Sequence, residues 1–463
     1  MDYDIIVIGS GPGGYAAAIR GAQSGKKVAL VERAELGGIC VNWGCIPTKA
    51  LLKSAQIYQY ALHADSFGVE IGGHATPDMT NIVARSRSIA NTMSKGVAFM
   101  LDKNKVDVIE GQGSLLGGGM VAVARKDGTA SRHKAQHIIL ATGSRSKEIP
   151  AIKIDGKYVI NYRQALSLER IPKSIIVVGS GAIGCEFAWY FAALGSKVTL
   201  IEYLPDILPL EDEEVSKCMD RSFRKLHATV MTSAAVKSVT VCNDRCSVEI
   251  EDKKGSRTLE SEMVLSATGV TANIDGIGLE NIGVATVNGK VVVDEFYRTN
   301  VAGVYAIGDI VPGPALAHVA SAEAICCIDK ICGLEPQPID YTAIPSCVYT
   351  TPEVASVGLT EKQAREKGRE IRVGKFSFTA SGKALSAGDR DGFVKLIFDG
   401  STNELLGAHL VGANVTEMVG ELTLAKQTGV TSHIIAHIIH PHPTMSETIT
   451  QAAENAEEQT MDL

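Results

Sequence analysis

Asp4-Ile5-Ile6-Val7-Ile8-Gly9-Ser10-Gly11-Pro12-Gly13-Gly14 opens the 463-residue chain. An apolar, β-favouring run ends in Gly9-x-Gly11-x-x-Gly14, and the alanine-rich stretch Tyr15–Arg20 predicts a helix directly after it. A second apolar strand, Lys27–Val31, ends on Glu32. In this order the elements form a dinucleotide-binding βαβ unit. The glycines let backbone N–H groups and the helix N-terminus approach a pyrophosphate, and the acid accepts from a ribose hydroxyl. The unit recurs: Ile175–Val178 leads into Gly179-x-Gly181-x-x-Gly184, a helix follows, and the strand Lys197–Ile201 ends on Glu202. First glycine to acid spans the same number of residues in both copies. Ile138–Leu140 with Ala141-Thr142-Gly143, and Met263–Ser266 with Ala267-Thr268-Gly269, read as strands that close each unit in a small-residue turn. The chain is expected to be an α/β protein with two Rossmann-like domains.

Cys40-Val41-Asn42-Trp43-Gly44-Cys45 follows the first unit. Positions five apart in a regular helix cannot be bridged, because a disulfide needs Cα atoms within roughly 7 Å. Gly44 permits irregular backbone and Pro47 is tolerated only in a first helical turn, so a bridge here would close a short, distorted loop. Strained bridges are redox-labile rather than structural, and a helix N-terminus at Cys45 favours a thiolate. The bland alternative is two buried free cysteines. Beside two dinucleotide sites, the labile reading suggests an electron relay, since a flavin exchanges electrons with both a thiol pair and a nicotinamide. The first site carries the cysteines and is expected to hold FAD; the second then holds the nicotinamide cofactor. Glu202 favours NAD, because its carboxylate repels a 2′-phosphate and Tyr203–Asp206 offers no arginine.

Over essentially its whole length the chain resembles the FAD-dependent pyridine nucleotide–disulfide oxidoreductases. The resemblance is carried by Gly9–Gly14, Gly37–Lys49, Gly179–Glu202, Val304–Asp309, Leu316–His318, Thr351–Ala355 and His440–Glu447. It implies two dinucleotide domains, a central segment and a C-terminal α+β dimerisation domain. It implies that Cys40 exchanges with substrate, that Cys45 stacks on the flavin, and that Lys49 lies near flavin N5 with Glu186 as its partner. Asp309 resembles the ribityl ligand, and Ala317 lies by the isoalloxazine. Further cofactor contacts are implied at Arg33, Gly113 and Val236, besides the glycine loops and turns quoted above. His442 matches the catalytic base and Glu447 the carboxylate that orients it, in a homodimer where that histidine reaches the other subunit's cysteines. The branch resembled oxidises dihydrolipoamide on E2 lipoyl domains or on a glycine cleavage carrier. The chemistry supports the pair independently: thiol–disulfide exchange needs a group that takes and returns protons near neutral pH, and a carboxylate fixes the imidazole tautomer. Departures are Val270–Asn273, where relatives carry arginines, and Trp43, where they carry smaller apolar residues. No role is assigned to His437.

The layout expected is 1–145 for the first FAD segment, 146–270 for the NAD domain, 271–341 for a central segment and 342–463 for the interface domain. That last part should hold strands such as Phe393–Ile397, a helix around Thr416–Leu422, and a final helix and frayed end from Gln451. Net charge of −7 discourages nucleic-acid and anionic-membrane binding. No apolar run has spanning length, and the first strand starts within a few residues of Met1, so a cytoplasmic protein without a signal or transit peptide is expected. Ten cysteines suit a reducing compartment. Cys185, Cys218, Cys326, Cys327, Cys332 and Cys347 read as core fillers, and Cys242 and Cys246 as members of a strand pair. No metal site is expected; Pro441 and Pro443 interrupt His440-x-His442. Two other functions compete with dihydrolipoamide oxidation. One is an NADH-driven reductase of another low-molecular-weight disulfide, and the other a non-catalytic scaffold, which has no need of the cysteine pair with His442 and Glu447.

Overall fold

A computed structural model describes residues 1–458; the last of the expected frayed end lies outside the described residues. The chain divides into two compact units, one of 1–51, 80–147 and 269–339, the other of 52–79, 148–268 and 340 onward.

In the first unit, strand β1 (Tyr3–Ile8) runs into helix α1 (Pro12–Gln23) and strand β2 (Val28–Glu32). Ile5, Ile6, Val7 and Ile8 are all buried, because a parallel strand covered on both faces reads as a continuous apolar run. Gly11 caps α1 and Pro12 occupies its first turn, where no backbone N–H is needed. The parallel sheet places Asp107–Glu110, β2, β1 and Ala130–Leu140 side by side. The short strand Val304–Ala306 pairs with the end of Ala130–Leu140, while Gln112–Gly117 and Met120–Ala124 extend the sheet as an antiparallel meander. The chain then breaks its helical path once. Helix α2 (Gly38–Trp43) stops at Gly44, and α3 (Cys45–Leu62) begins at the next residue.

The second unit repeats the parallel core with Thr229–Met231, Lys197–Ile201, Ser174–Val178, Met263–Ser266 and Val159–Ile160. Its glycine-loop helix, Ala182–Ala193, is apolar apart from Glu186, and nearly all of it is buried. Cys242 and Cys246 lie on an antiparallel pair, as expected, with Cys246 opposite Val241. Residues from Ser346 onward form a five-stranded antiparallel sheet against the helices Val415–Gln427 and Glu447–Ala456. The central strands Phe393–Asp399 and Leu405–Gly412 are buried along their whole length. Cys185, Cys218, Cys326 and Cys327 are buried, but Cys332 and Cys347 are only half-buried. Cys332 sits at a helix end and Cys347 on the sheet's edge strand, where packing covers one side. Among the described residues no helix is long and apolar enough to cross a membrane.

Burial of the strand Phe393–Asp399 includes Lys395, whose side chain is 2 % exposed. Its ammonium lies 3.0 Å from Asp212, 3.0 Å from Glu214 and 2.7 Å from Glu361. Burial works against the charge, but the hydrogen bonds to Glu361, Asp212 and Glu214 outweigh it and raise the Lys395 pKa. Lys395→Met leaves Asp212 without a cation between Glu214, which keeps Lys375, and Glu361, which keeps Arg365. It should lower unfolding free energy by about 3–5 kcal/mol, measured by urea titration of the full chain.

Candidate redox site and dinucleotide cradles

The two glycine loops have the same construction. Gly9 and Gly179 take φ of +103° and +98°, and each donates its N–H at 2.8 Å to the following strand, to Val31 and Ile201. A Cβ on Gly14 would stand 1.8 Å from the Gly9 carbonyl oxygen, and one on Gly184 1.9 Å from that of Gly179. Only glycine lets helix and strand approach so closely. The expected closing turns lie where they were placed: the N–H groups of Ala141 and Ala267 bond at 2.8 Å to Ile8 and Val178.

The acids expected to hold ribose hydroxyls are tied back to their own loops. Glu32 Oε2 accepts from Ser10 N at 2.8 Å and Ser10 Oγ at 2.6 Å, and Oε1 accepts from Ala34 N at 2.8 Å. Glu202 does the same with Ser180 N at 2.8 Å, Ser180 Oγ at 2.7 Å and Leu204 N at 2.9 Å. Two carboxylate oxygens offer about four acceptor positions, so each acid retains capacity for a hydroxyl. The signal for these serines in the sequence is their shared place in the middle of Gly-Ser-Gly.

A dinucleotide fits both cradles. A Cβ built on Gly11 or Gly181, at the mouth of each loop, meets nothing within 4 Å. The open space lies at the helix N-terminus, where a pyrophosphate is stabilised. In the first unit Asp309 accepts from Ser144 Oγ at 2.6 Å, and its carbonyl receives a bond from Lys290. The Gly308 N–H bonds at 2.6 Å to the buried Glu323. Thr142 and Asn273 bond each other's backbone, Thr142 Oγ1 to the Asn273 carbonyl at 2.7 Å. Ala317 starts a helix and Arg33 is exposed just beyond Glu32. Gly113 lies on a strand so close to Ile8 that a Cβ would meet it at 3.0 Å. In the second unit Val236 packs beside a bulge of the strand Ala235–Cys242, and Thr268 lies near Ser266. Glu186 is buried in its helix and accepts from Tyr349 N at 3.1 Å.

The cysteine segment sits on the first loop. Gly37 N bonds to the Ser10 carbonyl at 3.1 Å, and a Cβ on Gly38 would lie 2.7 Å from Gly11 Cα. Asn42 Nδ2 folds back onto the carbonyls of Leu36 and Gly38. At Gly44 (φ −146°, ψ −113°) the helix breaks, and a Cβ there would crowd the Ile39 carbonyl at 3.0 Å and Cys40 Cα at 3.3 Å. The break brings the Cys40 thiol into hydrogen-bond contact with Cys45; that bond, then burial, raise the Cys40 pKa. Lys49 is half-buried in α3. Trp43 carries the Arg87 guanidinium 4.4 Å above its ring, a contact the sequence did not disclose.

In the second unit His442 Nδ1 lies 2.7 Å from Glu447 Oε1, and Glu447 Oε2 accepts from Thr444 N at 2.8 Å. Burial pushes the Glu447 pKa up, but the bonds from Thr444 and His442 prevail and hold it low. With Glu447 accepting from Nδ1–H, Nε2 is left to take and return a proton, and the ring is 82 % exposed. Both ring nitrogens of His440 are engaged instead, with Thr450 at 2.8 Å and Glu421 at 3.0 Å. His437, given no role, bonds the His433 carbonyl at 2.7 Å.

Residues 3–324 match the pyridine nucleotide-disulphide oxidoreductase family, and residues 344–453 match that family's dimerisation domain. The chain belongs to this family; it is an oxidoreductase with FAD and NAD as cofactors, and a homodimer. It is 48 % identical to a dihydrolipoyl dehydrogenase of Chlorobaculum tepidum over 98 % of this chain and 97 % of that one. It is 43 % identical to a dihydrolipoyl dehydrogenase of Bacillus subtilis, with the same coverage. Among solved structures, LpdA of Mycobacterium tuberculosis superposes with a TM-score of 0.90 at 28 % identity, covering 97 % and 99 % of the two chains. The HOCl-induced flavoprotein disulfide reductase RclA of Escherichia coli gives 0.87 at 27 % identity, covering 98 % and 99 %.

The loop geometry separates two roles of glycine. Gly181→Ser places its side chain in open space at a position where serine caps helices well, so the melting temperature should hold while NAD affinity falls. Gly184→Ala collides with backbone and should cost about 1–3 kcal/mol in stability. Thermal melts and NAD calorimetry on both variants check the contrast.

Proposed function

We propose that the chain works as a dihydrolipoyl dehydrogenase, oxidising protein-bound dihydrolipoyl groups to lipoyl and passing two electrons through Cys40 and Cys45 to FAD and then NAD. The observation that carries this reading is the seat of the dithiol: Cys40 and Cys45 meet across the break at Gly44, on a helix resting on the first glycine loop. The identity to dihydrolipoyl dehydrogenases over the full chain supports it.

In the oxidised enzyme Cys40 and Cys45 are joined. A substrate thiolate attacks Cys40 Sγ, forming a mixed disulfide and releasing Cys45 as thiolate. The second substrate sulfur attacks the mixed disulfide, closing the lipoyl ring and freeing Cys40. His442 Nε2 takes the proton of each attacking thiol in turn; one proton leaves to solvent and the other passes to the Cys40 thiolate freed in the second exchange, while Glu447 holds the imidazolium in place. Cys40, its pKa raised, keeps a proton in the dithiol. When bound, FAD supplies a two-electron acceptor for the dithiol and NAD the hydride acceptor that restores it. Lys49, Glu186, Asp309 and Ala317 belong to the flavin's surroundings, and Glu202 selects NAD over its phosphorylated form.

The segments 1–145, 146–270, 271–341 and 342–463 divide these tasks, and His442 serves the cysteines of the partner subunit. The dihydrolipoyl donor is an E2 lipoyl domain or a glycine cleavage carrier. The activity belongs in the cytoplasm, whose reducing conditions suit ten cysteines.

Anaerobic mixing of the FAD-loaded protein with dihydrolipoamide, followed by NAD, should yield NADH in proportion to the dithiol consumed. No NADH, together with oxidation of NADH by other small disulfides, would move the assignment to a disulfide reductase. His442→Gln should lower dihydrolipoamide turnover by about 10²–10⁴-fold and leave NADH-to-dye electron flow intact, measured side by side in steady state.

A further inference from the structure

Five polar side chains line up across the antiparallel sheet of the second unit. The register pairs Ser346 with Ser356, Ser356 with His409, His409 with Lys395 and Lys395 with Lys375, so all five stand in one row on one face. Glu211-Asp212-Glu213-Glu214, where the helix Glu213–Lys225 begins, lies along that row. Glu211 faces the hydroxyls of Ser346 and Ser356. Asp212 accepts from Lys395 at 3.0 Å and from Glu361 N at 3.1 Å, and it faces His409, whose pKa burial lowers. Glu214 pairs with Lys395 and Lys375.

The segment leading into this clasp starts at Glu202. Leu204 N bonds to Glu202, Leu208 N donates at 3.0 Å to the Ser180 carbonyl of the second glycine loop, and Glu211 N donates at 2.9 Å to Leu208. Leu208 is buried with φ +48°, a conformation a leucine keeps only where its surroundings impose it. Residues 203–212 are therefore fastened at one end to the loop and at the other to the sheet.

Glu211 is the weak member of the clasp. As a residue it is half-buried, but its carboxyl tip is enclosed, and Oε2 has no hydrogen-bond partner among the described residues. Among the described residues no cation pairs with it as Lys395 pairs with its neighbours. Burial, and then the charge of Asp212, push its pKa up to about 7, against the pull of the two serine hydroxyls.

We propose that Glu211 is a positioning residue: its protonation state sets how firmly residues 203–212 hold the glycine loop at Ser180, and through it the affinity of that cradle for NAD. The inference rests on reading the second cradle as the NAD site. Neutral, the carboxyl sits against Ser346 and Ser356 without repelling Asp212. Ionised, it is driven toward water and draws Leu208 with it. A carboxyl whose folded-state pKa is raised lends stability that is complete below the ordinary glutamate range and is lost as pH rises through the folded value. The clasp therefore loosens on the alkaline side.

The test is calorimetric titration of the FAD-loaded, oxidised dimer with NAD, from about one unit below to one unit above pH 7. In the unmodified protein the Kd for NAD should rise by about tenfold across the window, the equivalent of one pKa unit of coupling. Glu211→Gln should hold the low value throughout, and Glu213→Gln, its exposed neighbour, should keep the step. Ser356→Ala removes a hydroxyl that pulls the pKa down, so the midpoint should move to higher pH, a shift that a merely structural role does not produce. A step that survives Glu211→Gln, a midpoint that ignores Ser356→Ala, or a flat profile in the unmodified protein overturns the inference and leaves the NAD site standing. Failure to bind NAD at any pH overturns both.

Discussion

Backbone touching backbone at Gly14 and Gly184 is the constraint on which the rest depends. With each glycine's missing Cβ less than 2 Å from a carbonyl oxygen, strand and helix meet with no side chain between them. That contact aims the helix N-terminus and the loop N–H groups at one open point beside Gly11 or Gly181. Glu32 and Glu202 then brace the loops from behind through Ser10 and Ser180. The acids so have two tasks, fastening the loop and presenting acceptor capacity to a hydroxyl, and the first keeps each carboxylate in place for the second.

The cysteines use the same economy of backbone. A continuous helix would hold Cys40 and Cys45 apart; one glycine without regular helical dihedrals brings them together. Thr48 rebuilds the helix immediately, with its N–H and hydroxyl both bonded to the Gly44 carbonyl at 3.1 and 2.6 Å. Ser86 and Arg85 hold the new helix at the carbonyls of Pro47 and Ala50. The irregular dihedrals are thus confined to one residue while both flanks are anchored, so the two thiols meet without disturbing the helices on either side. His442 is prepared the opposite way, as an exposed ring on a short irregular segment, oriented by one carboxylate that is itself fixed by Thr444.

Buried charge is handled unevenly across the second unit. Lys395 is surrounded by three carboxylates and is more firmly charged than in water, whereas Glu211 is enclosed beside Asp212 with serines for company. One row of a sheet therefore faces both an ion cluster around Lys395 and, at Glu211, an enclosed carboxyl without a cation. The difference is one of partners, since both sites are shielded from solvent.

Much of this was written in local sequence. Two complete glycine-loop units, each ending in an acid at the same spacing, determined the α/β class and both cradles, because close backbone approach has no substitute for glycine at those positions. Cys40, Gly44, Cys45 and Pro47 likewise announced a break, since a helix tolerates those residues together only at an end. His442 and Glu447, five residues apart, are paired by the family resemblance, and the chemistry of proton transfer agrees with that pairing. Tertiary structure decided what depends on distant strands. Lys395 is a lone charge in the apolar strand Phe393–Ile397, and only sheet order and the acidic segment at 211–214 provide its buried partners. His440 resembles His442 in sequence, yet Glu421 and Thr450, from two separate helices, occupy both its nitrogens. The polar row from Ser346 to Lys375 exists only through register, because residues far apart in the chain share a face when strands pair.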